Sequence, residues 1–360
     1  MKIFIANPTK TLVRSTDHDY LHTCFVSMQE SHNIEFCVNK SIITRFHRDA
    51  VYIKNRILSK VRTSRDKLIM SPYNEAFYVN VPASCDLVFS YGGFPIQLFS
   101  SMQRPVICEQ TYAYGGRMDF KVWKEYLIRN RKFYVERADL LVTPSVESLN
   151  CFKKVFPQHE NKIVMIPYYL PYLKAIGDDQ LKDKFNALEK IRLLFVGKEA
   201  KRKGLDKLIE AFGQLPRGIQ ERFEVTVVSK FVDGKIDLPD SFIYKSYVEN
   251  ITEEFHKAHV LVFLTKQEAY GLVLVEAMAS GCAILTTDHP IQRSILNNTG
   301  AWFVDPFDTN SICEKLMEIA TATSWQLFEM GSANVSNFEA DKSPEKVGLK
   351  YYELFSQAMR

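Results

Sequence analysis

The chain has 360 residues, 46% of them hydrophobic and 24% charged, which is the profile of a soluble globular protein with enough length for two domains. A formal net charge of +4 does not point to nucleic acid and suits an anionic ligand or an anionic membrane surface. Seven scattered cysteines without a C-x-x-C pair exclude a zinc ribbon or a dithiol motif and fit a reducing compartment.

The chain opens with "KIFIA" (2–6), read as a strand and not a signal peptide because Asn7 and Pro8 end the apolar run. No stretch approaches the ~20 apolar residues that span a bilayer. Asp17 and Asp19 precede "YLHTCF", where helix capping is the better use for them than metal binding. Further strands are expected at 33–38, 87–93, 105–110, 140–145 and 162–167. Each is a short apolar run between helix-length amphipathic segments, the pattern of parallel βαβ units buried on both faces.

Two basic segments lie between these strands. Residues 45–67 carry Ile53, Ile57 and Val61 at helical spacing, and residues 117–137 interleave Phe120, Trp123, Tyr126 and Phe133 with Lys and Arg. A basic amphipathic helix can lie on anionic lipid, while an ordinary core-packed helix explains the same pattern. The strand ending "PVICEQ" leads into a loop with Tyr112, Tyr114, Gly115 and Gly116. Glu109 at that strand end reads locally as a turn carboxylate satisfied by nearby amides. Residues 173–189 are polar, lack a strand and read as a linker.

A second series of strands is expected at 191–198, 223–230, 241–248, 260–265, 282–288 and 300–306. After the first comes "GKEAKRKG", in which Gly197 and Gly204 bracket a basic loop with Lys198 and Lys203. A flexible ammonium at a strand's C-terminal end suits phosphate. A merely solubilising loop is the bland alternative. After the fourth strand, "TKQEAYGLVLVEAMASG" passes from a loop with Glu268 through Gly271 into a helix ending near Gly281. Leu272, Val275 and Ala279 are expected to face the sheet. The free amides of that helix start, at Tyr270, Gly271, Leu272 and Val273, favour an anion. Carboxylates beside an anion are unfavourable unless they face hydroxyls, so Glu268 and Glu276 are read as acceptors for sugar and ribose hydroxyls. Solvated surface glutamates are the alternative.

Together these pieces resemble the family 4 glycosyltransferases. Glu268 and Glu276 stand at the ends of an E-x7-E element, and "VGKEAKRKG" is similar to the family's phosphate loop, with Lys198 at a usual arginine. "ADLLVTPSVES" (138–148) and "KIVMIPYY" (162–169) are similar to its end-of-domain strands. The family's Gly-Gly-x-Pro-Glu loop is replaced by "DHPIQRSI" (288–295), and no Gly-Gly pair occurs at 6–16.

The resemblance implies an α/β protein of GT-B fold, two doubly wound Rossmann-like domains facing across a cleft. The expected divisions are an acceptor domain at 1–172, the linker at 173–189, a nucleotide-sugar domain at 190–335, and a helix at 336–360 returning to the first domain. It implies retaining, metal-independent transfer from a nucleotide-diphospho-sugar, used as substrate with no cofactor, to a glycan or lipid-linked acceptor. Lys198 and Lys203 would neutralise the leaving diphosphate, Glu268 orient donor hydroxyls, Glu276 hold the ribose and Glu109 face the acceptor. Gly197 and residues 270–273 would complete the donor site. The expected setting is cell-surface polysaccharide synthesis in the cytoplasm, peripheral on the inner face of the membrane, with no nucleic-acid partner. A non-catalytic nucleotide-sugar-binding or scaffold subunit and a GT-B epimerase or hydrolase are the alternatives.

Overall fold

The computed structural model describes residues 1–5, 34–38, 84–91, 106–109, 120–168, 170–186, 188–230, 236–266, 268 and 270–360. The loop at 6–16, the Asp17 and Asp19 pair, the basic segment 45–67 and the turn at 110–116 lie outside the described residues. The chain divides into two compact units, Met1–Pro171 with Pro344–Arg360, and Tyr172–Ser343.

In the first unit the strands are β1 (Lys2–Ile5), β2 (Glu35–Val38), β3 (Leu87–Tyr91), β4 (Val106–Glu109), β5 (Leu140–Thr143) and β6 (Ile163–Met165). They form one parallel sheet in the order β2-β1-β3-β4-β5-β6. Each falls inside one of the apolar runs read from the sequence. Helix α1 (Phe120–Arg137) leads into β5, and α2 (Val146–Val155) leads out of it. Ser145 caps α2 by accepting from the Ser148 amide at 3.2 Å. Phe89 of β3 is fully buried and meets Tyr351 and Phe355 edge-on, with centroids 6.0 and 5.7 Å away. Both rings belong to the C-terminal helix Pro344–Ala358, so that helix contributes to the first unit's core.

The second unit holds β7 (Ile191–Val196), β8 (Phe223–Val228), β9 (Phe242–Lys245), β10 (Val260–Phe263), β11 (Ala283–Thr287) and β12 (Ala301–Val304). All pair in parallel, in the order β12-β11-β10-β7-β8-β9. The chain therefore winds outward from β7 to β9, then returns to β10 on the other side of β7. Such a reversal leaves a crevice beyond the C-terminal ends of β7 and β10, where the two following loops part.

The expected linker is not a free connection. It contains α3 (Asp178–Phe185), with Leu181 and Phe185 buried in the second unit's core. Lys184 of α3 is buried too, and its ammonium donates to Ser280 O at 2.8 Å, Phe255 O at 3.1 Å and Cys282 Sγ at 3.3 Å. The two carbonyls, Phe255 O and Ser280 O, lie at the C-terminal ends of two further helices, α6 (Ile251–Lys257) and α7 (Leu272–Ala279). Between α3 and α6 lie α4 (Leu205–Gln214) and α5 (Arg217–Gln220). A cation at helix C-termini meets the negative end of their dipoles, which offsets part of its desolvation. Leu181, Phe185 and Leu188 stand at i, i+4 and i+7, a helical stripe that the interleaved Asp, Lys and Asn residues obscure. The helices α8 (Pro290–Leu296), α9 (Thr309–Thr321), α10 (Ser324–Asp341) and α11 (Pro344–Ala358) complete the chain. Among the described residues no helix is long and apolar enough to cross a membrane.

Candidate functional site

The loop after β7 and the loop after β10 meet at the crevice between those strands. Gly204 starts α4 with φ +85°, and a Cβ there would stand 2.2 Å from Leu264 O at the end of β10. Only glycine permits that approach without moving the backbone. The Lys266 amide then donates to Arg202 O at 2.9 Å, and its ammonium meets Asp206 Oδ2 at 2.6 Å. Sequence reading missed this clip, because the partners lie 60 residues apart and each resembles an ordinary surface charge.

Lys203 and Glu268 form a salt bridge within the crevice, their side chains only 15% and 14% exposed. The Lys203 ammonium also lies 4.7 Å from the centroid of Phe263, the last residue of β10. Burial pushes the Lys203 pKa down, and Glu268 opposes that shift. A Cβ at Gly197 would lie 3.0 Å from Lys203 Cγ, so that glycine leaves room for the lysine stem. The structure thus brings Gly197, Lys203 and Glu268 together. Lys198 is exposed and has no side-chain partner among the described residues. Arg202 is held by Glu199, with Nη2 to Oε2 at 2.5 Å.

Gly271 adopts φ +93° and starts α7 without any side-chain cap. The opening amides of a helix lack intrahelical acceptors, so Leu272 and Val273 present N–H groups that a ligand can satisfy. Tyr270 is buried, which leaves its backbone rather than its ring for a ligand. The buried face of α7 includes two of the three residues expected there, Val275 and Ala279. Leu274, Val275 and Met278 are buried, whereas Leu272 is partly exposed at the helix mouth. The helix is apolar apart from Glu276, so periodicity gives little signal for its face.

Glu276, four residues beyond Leu272, is half-buried rather than a solvated helix carboxylate. Burial raises its pKa, and the Tyr172 hydroxyl opposes the shift by donating to Oε1 at 3.0 Å. Its Oε2 has no partner among the described residues. Tyr172 was not foreseen as a site residue. The replaced loop forms α8, with His289 Nδ1 accepting from the Ile291 amide at 3.3 Å and Arg293 pairing with Asp288. The backbone of Glu109 ends β4 in the first unit.

Two units, each with a six-stranded parallel sheet, are the architecture of the GT-B fold. Residues 178–324 match the family model for glycosyl transferases group 1. The chain is 27% identical over 215 residues to mannosylfructose-phosphate synthase of Agrobacterium fabrum, covering 53% of this chain and 47% of that protein. It is 30% identical over 141 residues to a lipopolysaccharide glucosyltransferase of Escherichia coli, covering 36% and 37%. The chain thus spans about half or less of these curated relatives. The fold is shared with Anabaena HepE in complex with UDP-glucose, at 12% identity and TM-score 0.63, over 99% of this chain and 100% of that one. Over residues 178–324 the chain is therefore similar to the group 1 glycosyl transferases.

Proposed function

We propose that the chain transfers a sugar from a nucleotide-diphospho-sugar to a hydroxyl of a glycan or lipid-linked acceptor, with retention and without a metal, in cell-surface polysaccharide synthesis. The observation that carries this reading is the meeting of a lysine loop and a two-carboxylate loop–helix element at the crevice between β7 and β10. Lys198, unpaired among the described residues, and Lys203 supply positive charge to the diphosphate. The uncapped start of α7 adds amides. Glu276 accepts from the ribose, and Glu268 from the transferred sugar.

In the reaction the acceptor oxygen forms a bond to the anomeric carbon as the carbon–phosphate oxygen bond breaks. The acceptor proton passes to the departing diphosphate oxygen on the same face, which preserves configuration. Charge growing on that diphosphate draws Lys203 away from Glu268, so the ion pair opens as the leaving group forms. Glu109 is proposed on the acceptor side. The lipopolysaccharide relative supports the polysaccharide setting, and the UDP-glucose complex of a fold relative supports the donor class. An inner-membrane surface is the proposed location. Lys124, Lys132 and Arg137 of α1 are exposed on one of the two basic segments.

The test is a screen of UDP-, GDP- and ADP-linked hexoses with a chelator present, using a lipid and glycan extract as acceptor. Release of the nucleoside diphosphate and an anomeric NMR signal of unchanged configuration are expected. Binding of a donor without transfer or hydrolysis would leave a non-catalytic subunit, and an inverted product would refute the same-face mechanism.

A further inference from the structure

Glu276 has an unusual setting for a helix carboxylate. It sits at the fifth position of α7, an otherwise wholly apolar helix in which Leu274, Val275, Ala277, Met278 and Ala279 are buried. Its Oε1 accepts from Tyr172, a residue 104 positions earlier in the chain and the first residue of the second unit. Its Oε2 is without a partner among the described residues. Tyr172 is 51% exposed, so burial of its own ring is not what holds it there. A hydrogen bond from an exposed phenol to a desolvated carboxylate is charge-assisted and fixes that carboxylate's orientation.

We propose that Tyr172 is a positioning residue for the nucleoside subsite, its hydroxyl holding Oε1 of Glu276 so that Oε2 is left to accept from the ligand's diol. This rests on the nucleotide-sugar reading above and adds to it a residue outside the E-x7-E element. The contact also has an ionisation consequence. Among the described residues, burial and Tyr172 are the two influences acting on Glu276. Without Tyr172, burial acts unopposed, and the carboxylate takes up a proton at higher pH. A protonated Glu276 would donate through its O–H and lose part of its capacity as an acceptor.

The test joins two readouts. Glutamate carboxyl-13C labelling follows the Glu276 signal with pH, assigned by its loss in Glu276→Gln. Tyr172→Phe is expected to move the titration midpoint upward. An unchanged or lower midpoint overturns the proposal, whether or not any nucleotide binds. Calorimetry then compares wild type, Tyr172→Phe, Glu276→Gln and the double variant from about pH 5 to about pH 8. The probes are the nucleoside diphosphate that wild type binds and inorganic pyrophosphate, which lacks the diol. Tyr172→Phe should weaken the nucleotide about tenfold, the strength of one hydrogen bond to a charged group. It should leave pyrophosphate unchanged, and the double variant should bind no worse than Glu276→Gln. The variant's nucleotide affinity should also fall off at higher pH than that of wild type. Tighter nucleotide binding by Tyr172→Phe would overturn the proposal by making Tyr172 a competitor for the diol. Absence of nucleotide binding in wild type would refute the nucleotide-sugar reading alone, with the carboxyl titration still deciding whether Tyr172 controls Glu276.

Discussion

At the scale of single residues, Lys203 and Glu268 neutralise one another in a poorly solvated crevice, and a ligand must compete for both. Replacing one partner leaves the other buried and uncompensated. The two substitutions therefore diverge. Lys203→Ala removes charge from the diphosphate site and is expected to weaken nucleoside diphosphate binding by roughly 10–100-fold in calorimetry. Glu268→Gln releases the ammonium to the phosphate, so nucleoside diphosphate should bind as tightly as to wild type or tighter. Its turnover of the sugar nucleotide should nevertheless fall, because the role proposed for Glu268 is toward the sugar and not the nucleotide. Parallel losses of nucleotide affinity in both variants would contradict this division of roles.

Elements set where those residues stand. The close approach of Gly204 to Leu264 joins the loop after β7 to the end of β10, and Gly204→Ala would force them apart. We expect it to destabilise the protein by about 1–3 kcal/mol in urea unfolding and to weaken nucleotide binding at the same time. His259 ties three elements together. Its Nδ1 accepts from the Arg192 amide of β7 at 3.0 Å, and its Nε2 faces Lys184 O of α3 at 3.0 Å. Only the neutral ring with a proton on Nε2 satisfies both contacts. Burial, with a smaller effect from Arg192, holds its pKa down to about 3. The unfolded chain therefore takes up the proton first as pH falls. Stability contributed by this ring is complete above about pH 6.5 and drains away toward pH 3, at up to ~1.4 kcal/mol per unit. His259→Gln should flatten that part of the stability–pH curve measured by denaturant unfolding.

The strands were the most legible elements, since parallel strands covered on both faces must be continuous apolar runs. Gly197, Lys203 and Glu268 were legible as a cluster because motif spacing fixes which strand ends they follow. Tyr172 and the Lys266–Asp206 clip were not, because each depends on a tertiary approach with no local signature. On α7 Val275 and Ala279 were placed correctly and Leu272 was not, because a helix that is apolar apart from Glu276 gives little periodic signal. The burial of Lys184 was hidden because lysine is ordinarily a surface residue, and its partners here are carbonyls closing two helices.

At the scale of the whole molecule, two six-stranded parallel sheets lie in separate units, and the second reverses its winding between β7 and β10. That reversal gives two loops from distant parts of the chain a common crevice. This crevice is the proposed binding place of a nucleoside diphosphate. The measurement that tests it most directly is calorimetric titration of the full-length protein with UDP, GDP, ADP and CMP, first without metal and then with magnesium. Saturable, metal-independent binding of one nucleoside diphosphate, weakened in Lys203→Ala, is the expected result. No binding of any of the four by the folded protein, or binding unaffected by Lys203→Ala, would contradict it.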